Sequence, residues 1–234
     1  MKSISAREAI INTAARLFYR QGYTNTGINQ IIEEAGIAKS TLYQHFRSKE
    51  ELLLSYLEEA GVTTMEGLRE ATKKGKTPHE KLIGVFDYLE ELVKRKDFYG
   101  CHFLNIVYEM PDEEEKAREV IKKQKDSVRM LFTEILAPIQ KQEMADEIYT
   151  LFEGALIAHK VHNDPWPIVS ARNVVRRLGC FFDVILFHPN SRSVNDTCVV
   201  HTIDADPLRS TRYGPDICPD QSALRLQEKN GISE

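Results

Sequence analysis

The amino-acid sequence predicts an all-α protein, with a small N-terminal helical domain followed by a larger helical domain. Apolar residues recur at the three-to-four-residue spacing of amphipathic helices through most of residues 10–178. Ser-Ala-Arg-Glu at residues 5–8 and Thr-Pro-His-Glu at residues 77–80 have the spacing of a capping box at a helix N-terminus. Neither an alternating strand pattern nor a hairpin signal occurs before Gly179.

The composition indicates a globular chain with a sizeable core, since 42% of its 234 residues are hydrophobic. The N-terminus lacks a signal-peptide core, and no apolar run approaches the about 20 residues that span a bilayer. The four cysteines form no C-x-x-C pair and have no histidine at zinc spacing. We therefore expect a cytoplasmic protein with free thiols, no metal, no cofactor and no membrane partner.

Charge is distributed unevenly along the chain. The net charge is −4, but residues 1–50 hold seven lysines and arginines against four glutamates. A basic N-terminal end on an acidic remainder places the positive potential at one end of the molecule.

Residues 1–47 are predicted to form three helices. Ile10–Phe18 gives the first helix a buried stripe, and Gly22 can adopt the left-handed conformation that ends it. Thr26 is predicted to cap the second helix, and Gly36 permits a tight turn into a short third helix. Three helices, the last two joined by a glycine-containing turn, form a helix-turn-helix unit.

The third helix has an unusual exposed face. Leu42 and Phe46 share one side of it and are predicted to be buried. The opposite side carries hydroxyl, phenol, amide and guanidinium groups, on Ser40, Tyr43, Gln44 and Arg47. These groups suit contacts with phosphates and base edges. Beyond this helix, Ser48 and Glu51 predict another capping box, which begins the fourth helix.

TetR-type transcriptional regulators have a recognition segment that resembles residues 35–52, which read Ala-Gly-Ile-Ala-Lys-Ser-Thr-Leu-Tyr-Gln-His-Phe-Arg-Ser-Lys-Glu-Glu-Leu. Their first helix and its exit resemble residues 14–23, which read Ala-Ala-Arg-Leu-Phe-Tyr-Arg-Gln-Gly-Tyr. The resemblance covers roughly the first 55 residues. The remainder resembles the family only in its helical layout and length.

The resemblance implies which residues contact DNA. It places four side chains on the phosphate backbone: Thr26, Tyr43, His45 and Lys49. It places four others at or beside base edges: Lys39, Ser40, Thr41 and Gln44. By their chemistry, Gln44 would pair with adenine, Lys39 with guanine, and the Thr41 methyl group would contact thymine. Three residues have structural alternatives, because Tyr43 could be a core aromatic, His45 could pack on the first helix, and Thr26 could serve only as a cap.

Residues 48–180 are predicted to form a helical domain for ligand binding and dimerisation. The segment Tyr99–Tyr108 is apolar nearly all round and is predicted to be buried. The resemblance implies that the last two helices of this domain pair with those of a second subunit, and that the homodimer reads a near-palindromic operator in double-stranded DNA. Gly154, Ala155 and Ala158 would permit close helix approach, or would serve ordinary packing within the chain.

A helical bundle can hold an apolar pocket with a few polar groups. The candidate ligand-binding residues are Tyr88, Cys101, His102, Asn105, Tyr108, Phe152 and His159, and each could instead belong to the core or the surface. The resemblance implies that an unknown small-molecule effector shifts the population between two states, with the fourth helix carrying the motion. Cys101 offers another possibility, since some relatives with Gly-Cys at this helix start resemble thiol sensors of electrophiles.

Residues 181–234 are predicted to form an atypical, largely disordered tail, because prolines occur among Ser, Asp and Asn without helical periodicity. Phe181–Phe187 either opens this tail or extends the last helix. No nucleophile-elbow, metal, phosphate-loop or dinucleotide signature occurs, so we expect no enzymatic activity. The expected function is that of a TetR-type regulator, in keeping with the family a repressor. The alternative is a helix-turn-helix adaptor regulated by a protein partner or by thiol modification at Cys101.

Overall fold

The structure, a computed structural model, describes residues 4–110 and 115–187, with side chains up to residue 179. Within these ranges it contains helices and no strand, which confirms the all-α prediction. The helices are α1 (Ala6–Gln21), α2 (Ile28–Ala35), α3 (Lys39–His45), α4 (Lys49–Thr72), α5 (Pro78–Val93), α6 (His102–Glu109), α7 (Glu115–Leu136), α8 (Ala145–His162) and α9 (Trp166–Phe187). Two 3₁₀ turns, Ala137–Ile139 and Gln142–Met144, join α7 to α8. We call α1–α3 the head and α4–α9 the body.

Local sequence signals begin α1, α4 and α5 and end α2. The capping boxes at residues 5–8 and 77–80 are both present, at the starts of α1 and α5. Gly36 ends α2 in the left-handed conformation, with φ of 64°. Ser48 caps α4, although the Glu51 carboxylate accepts the N–H of Arg47 instead of closing the predicted box.

One of the two cores joins the head to the body. It contains the buried stripe of α1, the inward residues of α2 and α3, and the first half of α4. Phe103 and Ile106 of α6 and Ala117 and Ile121 of α7 are buried in the same cluster. The head therefore packs on the body through α4, α6 and α7, and is not an independent three-helix unit.

The second core lies within the body. Residues of α5, α7, α8 and α9 form it, together with Leu68 near the end of α4. At its edge, Arg172 of α9 forms ion pairs with Asp87 and Glu90 of α5. α4 therefore contributes buried residues to both cores.

For the body helices, the structure contradicts one prediction and confirms another. α4 runs through Gly67, where a Cβ would overlap the Tyr88 hydroxyl, so the glycine permits close approach of α5. α6 is buried on one side only, and Tyr108 is 73% exposed, so the prediction of a wholly buried Tyr99–Tyr108 segment is wrong. α9 runs to Phe187, which confirms that residues 181–187 extend the last helix.

Some predictions lie outside the described residues, namely the disordered tail from residue 188 onward and the helix boundary at Pro111 and Asp112. Among the residues that are described, no helix is long and apolar enough to cross a membrane. In the same part of the chain, His, Cys, Asp and Glu side chains form no group that could hold a metal ion.

Candidate nucleic-acid interface and head–body cavity

The short helix α3 is anchored by its apolar side. Leu42 and Phe46 are buried against the head core, as the spacing predicts. Tyr43 is 46% exposed, and Lys39, Ser40, Gln44 and His45 are exposed beside it, whereas Thr41 is half-buried. The core-aromatic alternative for Tyr43 is therefore wrong. This helix presents phenol, amide, hydroxyl, imidazole and ammonium groups together on one surface.

Thr26 is not part of that surface. Its side chain is fully buried, and its hydroxyl donates to the Gly22 carbonyl at 2.7 Å. α2 is preceded instead by Gly27, which makes no side-chain cap, so the prediction that Thr26 caps α2 is wrong. In this conformation the Thr26 side chain offers no surface to a phosphate.

Lys49, in the first turn of α4, faces the loop between α1 and α2. Its ammonium donates to the Tyr23 carbonyl at 2.6 Å and lies 4.1 Å from the centroid of the Tyr23 ring. Burial lowers the pKa of Lys49, and the nearby Glu109 carboxylate opposes that effect. Lys49 is half-buried, so a phosphate would have to approach along this loop.

Two arginines lie near the C-terminal end of α3. The Arg7 guanidinium of α1 lies 5.4 Å from the centroid of the Phe46 ring and is exposed. Arg47 follows α3 directly and is also exposed. Arg7 was not predicted as a site residue, because only the packing of α1 on α3 brings it to this surface.

A cavity of about 530 Å³ lies where the end of α1 meets α6 and α8. Its wall is mostly apolar, with two basic side chains, Arg20 and Lys160. The lining from α1 and the turn after it runs from Phe18 to Gly22. The remaining lining comes from the body and comprises Tyr99, Cys101, Leu104, Asn105, Tyr108, Glu109, Leu156, Ile157, Lys160 and Val161.

Hydrogen bonds join head and body at both ends of this cavity. At one end, the Tyr19 hydroxyl donates to the Gly100 carbonyl at 2.7 Å and accepts the Tyr99 N–H at 3.0 Å. At the other end, the Glu109 carboxylate accepts the N–H of Thr24 at 2.9 Å and its hydroxyl at 2.7 Å. Both joints connect α1 or its following loop to α6 or the residues before it.

Comparison with known proteins identifies the head. The family model described as bacterial regulatory proteins of the tetR family matches residues 10–56, which contain α2, α3 and most of α1. This chain belongs to the TetR family. It is therefore a DNA-binding transcriptional regulator of the helix-turn-helix type.

Three relatives extend the similarity into the body of this TetR-family protein. An HTH-type regulator from the lacX 3' region of Lactococcus lactis is 25% identical over 168 residues, which are 68% of this chain and 86% of that protein. The crystal structure of a TetR-family regulator from Streptomyces coelicolor has a TM-score of 0.68 at 27% identity and covers 73% of this chain and 86% of its own. The crystal structure of the reduced form of Escherichia coli NemR, a transcriptional repressor, has a TM-score of 0.65 at 21% identity. The match covers 74% of this chain and 96% of NemR.

The structure brings together some of the predicted ligand-binding residues and separates others. Cys101, Asn105 and Tyr108 line the cavity. Phe152 lies in the body core, with ring centroids 6.2 Å from Phe86 and 5.6 Å from Phe132.

The other three candidates lie elsewhere. Tyr88 packs on Gly67. His159 is buried, with Nδ1 2.9 Å from the Asp164 carbonyl beyond the end of α8. His102 stacks on Tyr19, behind the cavity wall. Burial lowers the pKa of His102 to about 4, so the ring is neutral at pH 7 and its Nδ1 can accept the Tyr56 hydroxyl at 2.6 Å.

Cys101 has a charged neighbour that its sequence surroundings did not indicate. The Lys125 ammonium of α7 lies 3.3 Å from the Cys101 sulfur and forms an ion pair with Glu153 of α8 at 2.6 Å. Burial opposes the charged form of Lys125, but Cys101 and Glu153 outweigh it and raise the pKa of Lys125. An ammonium beside a sulfur atom is one of the environments in which reactive cysteines occur.

Proposed function

We propose that this TetR-family regulator is a repressor that binds a near-palindromic operator as a homodimer and is released by a small molecule. The DNA-binding part of the proposal depends on the two faces of α3. Leu42 and Phe46 are buried on one face, and Tyr43, Gln44 and Lys39 are exposed. A helix held by its apolar side and polar on its outer side can enter the major groove.

The proposed contacts divide into two classes. Tyr43, His45 and Lys49 would bind phosphates, joined by Arg7 and Arg47, which are both exposed near the C-terminal end of α3. Lys39, Ser40, Thr41 and Gln44 would lie at or beside base edges. Thr26 is left out of the proposed contacts because its side chain is buried.

Exposed apolar residues on α8 and α9 support the homodimer. Val161 is 73% exposed, and Ile157 and Trp166 are exposed on the same part of the body. Gly154 is exposed, and a Cβ built there would contact nothing, so this glycine serves no packing within the described chain. A second copy of the helix could approach closely at Gly154 and cover these side chains. One short α3 reads few base pairs, whereas two copies read both halves of an operator.

Selection of binding sites from random duplexes tests the proposal. We expect a recovered motif with two inverted half-sites, bound by two chains. Lys49→Met should weaken all sequences about equally and reduce the slope of log K against log salt by about 1. A recovered motif without inverted symmetry, bound by one chain, would refute the dimeric arrangement.

A second candidate function is release by modification of Cys101, favoured by the Lys125 ammonium 3.3 Å from its sulfur. The similarity to the NemR repressor, whose structure is that of a reduced form, agrees with this idea. The Cys101 sulfur would bond to one carbon of the double bond of an electrophile such as N-ethylmaleimide. The thiol proton would pass to the other carbon of that double bond. Operator release by the reagent should be absent from Cys101→Ser, and release that persists in this variant would exclude the candidate.

A further inference from the structure

We infer that the cavity between α1, α6 and α8 binds an apolar organic anion, and that the bound anion loosens the joints between head and body. The inference rests on the proposed release of DNA by a small molecule and assigns the place and the chemical class of that ligand. The sequence predicts a ligand pocket within the body, whereas the ligand site inferred here is formed partly by α1 of the head.

The size and wall of the cavity fit a small organic molecule. Its volume of about 530 Å³ lies within the usual range for ligand sites. Leu104 supplies aliphatic surface and Tyr99 supplies aromatic surface, and both side chains are half-buried. The apolar part of a ligand would remove this wall from water, which favours binding.

The charges in the wall favour an anion. Lys160 and Arg20 are exposed, and among the described residues neither forms an ion pair with a carboxylate. The Lys160 ammonium donates to the Tyr99 carbonyl at 2.5 Å, which holds it beside the cavity. Among the described residues of this lining, Glu109 is the one carboxylate, and its oxygens accept hydrogen bonds from Thr24. An anionic group would therefore meet Lys160, whose charge has no counter-charge in the described part of the chain.

The position of the cavity couples it to the head. The Tyr19 joint and the Glu109 joint lie at its two ends, and the chain from Phe18 to Gly22 forms one wall. A ligand that fits best when α1 moves away from α6 would lengthen both joints. Because that ligand has unequal affinity for the two arrangements, it shifts their populations and re-aims α3.

Two fluorescent probes test the ligand class on the full-length chain. The aromatic sulfonate 8-anilinonaphthalene-1-sulfonate and the neutral N-phenyl-1-naphthylamine share the same ring system and differ in the anionic group. We expect Lys160→Met to weaken binding of the sulfonate about five- to tenfold and to change binding of the neutral probe less than about twofold. Lys122→Met removes an exposed charge on α7, outside this cavity, and should affect neither probe.

A filled cavity gives an independent check. Leu104→Trp should weaken both probes at least about tenfold, and a circular dichroism melt would show whether the variant is folded. If it does not fold, the Lys160→Met comparison still decides the matter, because Lys160 is on the surface. Absence of sulfonate binding, or sulfonate binding that Lys160→Met leaves unchanged, would overturn the inference even in a protein that binds its operator normally.

The coupling is tested with the duplex recovered by selection. The sulfonate should weaken operator binding, and saturating operator should weaken sulfonate binding by the same factor. Tyr19→Phe, which removes one joint, should tighten sulfonate binding and weaken operator binding. Sulfonate binding with unchanged operator affinity would overturn the coupling alone. A chain that selects no duplex would instead refute the proposed function, while the probe titrations still decide the ligand class.

Discussion

The rings of Tyr19 in α1 and His102 in α6 are stacked, with centroids 3.8 Å apart and planes 18° from parallel. The same imidazole accepts the hydroxyl of Tyr56 in α4, and the Tyr19 hydroxyl is bonded to the backbone that precedes α6. Burial raises the pKa of Tyr19 to about 12, so its hydroxyl keeps the proton that it donates to Gly100. Three helices thus meet at one neutral histidine between head and body.

Acidification should destabilise the protein through His102. Its pKa is lowered to about 4 from an ordinary 6.5, so the unfolded chain takes up this proton at a higher pH than the folded chain. The stabilisation is therefore complete above about pH 6.5 and is lost as the pH falls towards 4. We expect a contribution of about 1–2 kcal/mol to be lost between pH 8 and pH 5, measured by urea denaturation.

The variant His102→Gln separates this effect from the titration of carboxylates. Its side-chain oxygen can still accept the Tyr56 hydroxyl, but it does not titrate. The loss of stability between pH 8 and pH 5 should be smaller in the variant by about the same 1–2 kcal/mol. Equal losses in the two proteins would mean that His102 is protonated in the folded state at pH 5.

Opposite faces of α3 should respond differently to truncation. Leu42→Ala removes a fully buried side chain and should lower the free energy of unfolding by about 2–5 kcal/mol. Gln44→Ala, two residues away and exposed, should leave stability within about 0.5 kcal/mol of the parent. On the selected operator, Gln44→Ala should relax discrimination at one base pair by about 1–3 kcal/mol. Uniform weakening at every base pair would assign Gln44 to the phosphate backbone instead.

Local signals made much of the fold predictable, because helix starts and glycine turns depend on residues three or four apart. The capping boxes at residues 5–8 and 77–80 and the left-handed Gly36 are of this kind. The Thr26 cap was mispredicted because the hydroxyl instead satisfies the carbonyl of Gly22, which precedes it by four residues. A threonine before a helix allows both arrangements, and only the packing of the loop selects one.

The site residues outside α3 were less predictable, because their partners are distant in sequence. Lys125 lies 24 residues after Cys101 on another helix, and Glu109 lies 85 residues after Thr24. The apolar composition of α6 suggested burial on all sides, but the arrangement of α1 and α8 leaves an open cavity beside it and keeps Tyr108 exposed. Periodicity within α6 contains no information about which neighbouring helices are present.

Two exposed valines offer a matched test of the proposed dimer. Val161 on α8 is 73% exposed and Val62 on α4 is 60% exposed. Val161→Asp would bury a carboxylate in the proposed interface and should shift the mass measured by light scattering from two chains towards one. Val62→Asp makes the same chemical change elsewhere on the surface and should leave the mass unchanged. Dissociation by Val62→Asp and not by Val161→Asp would place the interface on the other side of the body.

Removing one partner of the Lys125–Glu153 ion pair should lower the free energy of unfolding more than replacing both partners with apolar residues. Both side chains are mostly buried, with 15% and 13% of their surface exposed. Lys125→Met leaves the Glu153 carboxylate buried without its counter-charge, and should reduce the free energy of unfolding by about 3 kcal/mol. The double variant Lys125→Met with Glu153→Leu removes both charges, so it should regain most of that loss, because neither desolvated charge remains.

Denaturant titration of the parent and of the two variants provides the measurement. Glu153→Leu alone isolates the opposite case, since it leaves the Lys125 ammonium beside the Cys101 sulfur without its carboxylate. In that variant a thiolate at Cys101 becomes the nearest counter-charge for Lys125, so alkylation of Cys101 by maleimide should be faster than in the parent. In Lys125→Met the same reaction should be slower. Identical alkylation rates in Glu153→Leu and Lys125→Met would show that the Lys125 ammonium does not influence the reactivity of the Cys101 sulfur.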